Sequence, residues 1–136
     1  MLAYRIDVET KMVHILGETP SDVAEFQQLM HNVLADPDFR PGFGFLRDRT
    51  GMKPLGTDSA RDAGHVLKQI KSLPTSKFAV VVDDGASLRS VRSVQLLTEG
   101  TWVEFAVFGL LESAIDWLQQ PSLTLTEARR LANTAL

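Results

Sequence analysis

The residues of this chain that could do chemistry fall in a few short stretches. Thr57-Asp58-Ser59 places a serine at an expected helix start. A phosphate on Ser59 would there meet the free amides and positive end of the helix dipole. The same three residue types also cap helices routinely, and the spacing fits either use. Arg47-Asp48-Arg49 and Asp83-Asp84 stand at the ends of two expected strands. Ser87 and Arg89 follow at the start of a helix, with Arg61 and Arg92 early on helices as well. Arg89 and Arg92 are three apart and face one side of their helix. If the two strand ends are neighbours, these groups form an arginine-lined crevice able to take a phosphate or carboxylate. The commoner use of mixed charges is ion pairing, so the expected arrangement sets Asp48 and Asp83 against the arginines.

Other chemistries find no support. The chain has no cysteine, which removes disulfides, thiolate nucleophiles and thiolate metal sites. His14, His31 and His65 show no metal-ligand spacing, so no metal site is expected. No nucleophile elbow, Walker loop or Gly-x-Gly-x-x-Gly occurs, and the reading is of a non-enzyme without a cofactor. A net charge of −3 with no basic patch interleaved with aromatics argues against nucleic acid. No apolar run nears the ~20 residues that span a bilayer, and Arg5 and Asp7 interrupt the N-terminus before any signal-like core. Membrane insertion is not expected, and a cytoplasmic location is the default.

The elements that must position these groups are readable from periodicity. Ala79 to Val82 is a continuous apolar run closed by Asp83-Asp84-Gly85, as in a strand buried on both faces. Its carboxyl end is where ligand crevices form in open α/β sheets. Leu2, Tyr4, Ile6 and Val8 alternate with Ala3, Arg5 and Asp7, and Met12 to Leu16 resumes after a short break, predicting an antiparallel hairpin. Thr19 as cap and Pro20 at the first helical position predict a helix carrying Val23, Phe26, Leu29, Met30, Val33 and Leu34. A strand over 43–49 follows, then a glycine- and proline-bearing loop over 50–56. A helix with Ala63, Val66, Leu67 and Ile70 on its stripe leads into the buried strand. The third helix has Ser87 as its expected cap and Gly100 as its stop. A strand over 103–108 and a helix bearing Leu111, Ala114, Ile115 and Leu118 complete the pattern. Alternation of this kind means an α/β fold with a mainly parallel five-stranded sheet behind an N-terminal hairpin.

Three stretches, Tyr4-Arg5-Ile6-Asp7, Lys77-Phe78-Ala79-Val80-Val81-Val82-Asp83 and Val103-Glu104-Phe105-Ala106-Val107-Phe108 leading to Ala114-Ile115-Asp116-Trp117-Leu118, resemble the small bacterial STAS-like proteins called stage II sporulation protein AA-like. The resemblance implies a STAS-like domain over 1–120, related in fold to the CRAL-TRIO lipid-transfer domain, and a C-terminal helical extension over 121–136. It also implies a regulatory, protein-interaction role. STAS antagonists are switched by phosphorylation of a serine in an Asp-Ser-x-Gly motif at a helix start. Asp58-Ser59 matches that pair, with Arg61 where the motif has glycine. The expectation is thus a non-enzymatic interaction module with a protein partner. The alternative is a binder of a small ligand (an anion, a nucleotide or a lipid) at the carboxyl-edge crevice, with Phe39, Phe43, Phe45, Met52 and Leu55 covering an apolar pocket. The extension's stripe of Leu125, Ala128, Leu131, Ala132 and Ala135 suits docking on a second copy, a homodimer contact.

Overall fold

A computed structural model describes residues 1–19, 22–70, 76–101 and 103–120. The C-terminal extension over 121–136, with the dimer contact read onto it, lies outside the described residues, as does the expected Pro20 helix position. The fold is α/β, with a mixed five-stranded sheet and four helices. The strands are β1 (Leu2–Asp7), β2 (Met12–Gly17), β3 (Gly44–Asp48), β4 (Ser76–Val81) and β5 (Val103–Phe108). The helices are α1 (Val23–Ala35), α2 (Thr57–Gln69), α3 (Gly85–Thr98) and α4 (Leu111–Gln119). The strands lie in chain order across the sheet. β1 pairs antiparallel with β2, and the pairs β2–β3, β3–β4 and β4–β5 are parallel.

Period-2 alternation decides which residues meet which helices. Val13 and Ile15 of β2, Phe45 of β3, Phe78 and Val80 of β4 and Val103 of β5 join Leu29, Met30 and Val33 of α1, Leu67 of α2 and Val91 and Val94 of α3 in the larger core. Burying each such side chain contributes roughly 1.5–3 kcal/mol. The opposite face holds a smaller core in which Leu46, Ala79 and Val81 meet Ala114 of α4, with Phe108, Trp117 and Leu118 at its edge. Every residue of β4 is buried, because α4 covers one face and the other helices cover the second. Lys77 is buried on the α4 side. Its ammonium donates to the carbonyls of Trp117 (2.9 Å) and Gln120 (2.7 Å), closing the C-terminal end of α4 and lying over the Trp117 ring.

Three helix starts differ from the sequence expectation. Asp22, not Thr19, caps α1 and accepts from the Glu25 amide at 3.0 Å. Thr19 Oγ1 instead accepts from Arg49. α3 is capped by Asp84, which accepts from the Ser87 amide at 2.7 Å and from its hydroxyl at 3.1 Å. A carboxylate reaches this amide from outside the helix, whereas Ser87 already lies within the first turn. These bonds to Ser87 hold the Asp84 carboxyl below the ordinary aspartate range. α2 begins after Gly56 with no side-chain cap bond.

The layer over the larger core is uneven. α1 leans on β1 and α3 on β5, while α2 packs on α3 and α1 and stands off from the sheet. The reason lies in its inner face, where Ala60, Gly64 and Leu67 are buried and Ala63 is half-buried. Gly64 lets α3 come close, because a Cβ there would sit 2.9 Å from Leu97 Cβ and 2.8 Å from its Cδ1. α2 is thus drawn sideways onto α3, and its small residues leave the space beneath unfilled.

Candidate functional site

The space under α2 is a cavity of about 360 Å³, open at the carboxyl edge of the sheet. Its floor is Ile15, Phe78, Val80 and Phe105. Its roof is Phe26 of α1, Ala63 and Leu67 of α2 and Val91 and Val94 of α3. Leu55, from the loop before α2, closes one side. Asp22, Asp58, Ser59 and Asp62 stand around the mouth. The wall at the mouth also carries Arg47 and Arg49.

These two arginines reach the cavity because they are two apart and continue the face begun by Phe45. β3 ends at Asp48, and the Arg49 amide still donates to the Val81 carbonyl at 2.9 Å, which carries the strand direction one residue further. The chain then turns. The Met52 amide donates back to the Arg49 carbonyl at 3.0 Å, and Gly51 adopts φ +77°, a conformation that favours glycine. The Gly51 amide donates to Asp83 Oδ2 at 3.1 Å, tying this turn to the end of β4.

Both arginines are largely buried, Arg47 being 7% and Arg49 4% exposed. Arg47 donates to the carbonyls of Ile15 (3.2 Å) and Glu18 (3.1 Å) and lies 3.7 Å from Met52 Sδ. Arg49 donates to Thr19 Oγ1 (3.2 Å) and the Lys53 carbonyl (2.8 Å). Its Nε is buried with no hydrogen-bond partner among the described residues. No described carboxylate lies within 4.0 Å of either guanidinium. Desolvation pulls the Arg47 pKa well below the ordinary arginine range, to about 10, and the Arg49 charge adds to the shift. Desolvation lowers Arg49 as well. Two like charges are therefore held side by side in a poorly hydrated place with only neutral acceptors among the described residues, an arrangement that favours an anion.

The expected ion pairs are absent among the described residues. Asp48 is exposed on the α4 side and accepts from the Thr50 amide (2.9 Å) and hydroxyl (2.6 Å). Asp83 is occupied by the Gly51 amide. Alternation explains the failure, since residue 48 must face away from 47 and 49. Of the residues read from sequence as a crevice, Arg47 and Arg49 line the cavity, and Asp48, Asp83, Asp84, Ser87 and Arg89 do not. Asp84 and Ser87 are joined in the α3 cap, and Arg89 is exposed one turn on. Of the serine cluster, Asp58 and Ser59 line the mouth and Thr57 does not. Asp58 pairs with Arg61 at 2.6 Å, and Ser59 is exposed. Of the aromatic cluster, Leu55 lines the cavity, while Phe39, Phe43 and Phe45 are buried in the core and Met52 touches Arg47. Sequence reasoning missed Ala63 and Phe105. The signal for Ala63 was a small residue on the stripe of a helix that had to cover several strands.

Among the described residues no cluster of three or more His, Asp or Glu suits a metal ion. None of the described helices is long and apolar enough to cross a membrane. Compared with protein-family models, with curated proteins and with solved structures, the chain gives no match in any of the three.

Proposed function

We propose that this protein is a non-enzymatic binding module that holds a small organic anion in the cavity under α2. The observation that carries the reading is the pair Arg47 and Arg49, buried at the cavity wall with no described carboxylate in salt-bridge range and with Arg49 Nε unpartnered. Buried charges are ordinarily paired, and an anion entering at the mouth would supply the missing partner to both. A thermal-shift panel of inorganic phosphate, nucleoside monophosphates, dicarboxylates and fatty acids tests it. At least one anion should raise Tm saturably, as a ligand specific to the folded state must. A panel in which no anion shifts Tm would overturn the reading.

A second reading follows from the resemblance to STAS-like proteins: a protein-interaction module switched at Ser59. It is favoured by the state of Ser59, which is exposed in the first turn of α2 where no side-chain cap bond forms. Its hydroxyl is thus not needed to start the helix. Ser59→Ala should leave stability nearly unchanged. Ser59→Asp should weaken capture of a protein partner by the full chain, and equal capture by both variants would remove the switch.

A further inference from the structure

We infer that the ligand of this cavity is an amphipathic monocarboxylate, with its carboxylate on Arg47 and Arg49 and its apolar body under α2. This inference rests on the anion-binding reading above and specifies it.

Charge sets the head. Two cations face the mouth, and Asp22, Asp58 and Asp62 stand around it. Arg61 pairs with Asp58, while Asp22 and Asp62 stand at the rim outside salt-bridge range of the arginines. A mouth ringed by these carboxylates accepts one added negative charge more readily than the two of a phosphate monoester, whose second charge would meet Asp22 and Asp62. Two planar guanidinium forks also match the two oxygens of a carboxylate.

The walls set the body. Beyond the arginines the lining is carbon: Phe26, Phe78, Phe105, Leu67, Val91 and Val94. Nothing among these side chains can hydrogen-bond a sugar or a base, so a nucleotide would bury polar groups unpaired. The cavity of about 360 Å³, at ~30 Å³ per water-sized group, has room for about a dozen heavy atoms. That is the size of a medium-chain fatty acid.

Calorimetry with the full chain tests this, using butyrate, octanoate, decanoate, laurate and palmitate. Octanol and octyl phosphate serve as head-group controls, and AMP and inorganic phosphate as polar anions. Affinity should rise about fourfold per added methylene, level off between decanoate and laurate, and gain nothing at palmitate. Octanol and octyl phosphate should each bind at least tenfold more weakly than octanoate. Arg49→Met should cost octanoate at least tenfold. Ala63→Leu, which fills the roof and leaves the arginines untouched, should weaken decanoate at least tenfold, so the test survives if the arginine variant fails to fold. Octanol binding as well as octanoate, or an affinity independent of chain length, would overturn the inference. Binding of AMP or inorganic phosphate without any monocarboxylate would overturn it too, and would leave the anion-binding reading standing. Silence from every anion would end both.

Discussion

Replacing Arg47 by methionine should abolish the proposed anion binding while leaving stability nearly unchanged, and the two effects together are diagnostic. At neutral pH the fold holds Arg47 charged although burial has lowered its pKa to about 10. At 1.36 kcal/mol per unit, the drop from the ordinary arginine value is a penalty of about 3 kcal/mol on the charged form. The unfolded chain keeps this proton to higher pH than the folded one, so the penalty is complete well below pH 10 and is relieved as pH rises through 10 towards the ordinary arginine range. Methionine removes the penalty and keeps most of the apolar stem. Against that gain, the Ile15 and Glu18 carbonyls lose their donor. Glu18 is exposed and can turn to water, while an orphaned Ile15 carbonyl costs about 1–3 kcal/mol. The two effects offset to within ~1–2 kcal/mol. An arginine that served as half of a buried ion pair would behave otherwise, since its loss typically costs about 3–5 kcal/mol. Urea unfolding of wild type and Arg47→Met, monitored by far-UV circular dichroism, separates these cases when run beside calorimetry with octanoate. A loss above ~3 kcal/mol with octanoate affinity unchanged would show that Arg47 is a structural strut and that the reasoning fails. In the wild type, octanoate affinity should stay flat up to pH 10 and fall above it, as the free guanidinium begins to lose its proton.

Gly64→Ala should destabilise despite alanine's advantage in a helix of up to ~1 kcal/mol. The new Cβ meets Leu97 Cβ at 2.9 Å, and overpacking of this kind costs about 1–3 kcal/mol. The urea midpoint should fall and recover when Leu97→Ala is added. Lys77→Met should leave the Trp117 and Gln120 carbonyls without their donor. Faster hydrogen exchange confined to the amides of α4 should follow, with those of α1 unchanged.

Much of the architecture was legible because apolar periodicity is a local signal. The run Ala79 to Val82 is buried throughout, as its lack of alternation required. Gly100, at φ +75°, stands just past the end of α3, where a helix-stopping glycine belongs. Caps were less legible, since Thr19, Asp22, Asp84 and Ser87 all have suitable side chains and only the path of the chain selects among them. The sequence reading set Asp48 against Arg47 and Arg49, whereas the structure brings the two arginines to the cavity wall without it. Asp48 between Arg47 and Arg49 suggests ion pairing along the sequence. Strand geometry instead sends the aspartate to one face and both arginines to the other, and Phe43-x-Phe45-x-Arg47-x-Arg49 carries that information as a period of two.

The decisive feature, the gap beneath α2, was not readable from any one segment. It arises from the relation of the helices: Gly64 lets α3 come close to α2, while Ala63 is too short to fill the space above the strands. The two oddities of the fold then account for each other. An unfilled apolar space and two charged groups with no carboxylate in salt-bridge range among the described residues each lower stability, and each has a simple remedy in a larger side chain at 63 and apolar ones at 47 and 49. Remedying only one would leave the other in place. A single bound molecule, apolar at one end and anionic at the other, remedies both at once. The adjacency of cavity and charge, and not either alone, calls for such a ligand.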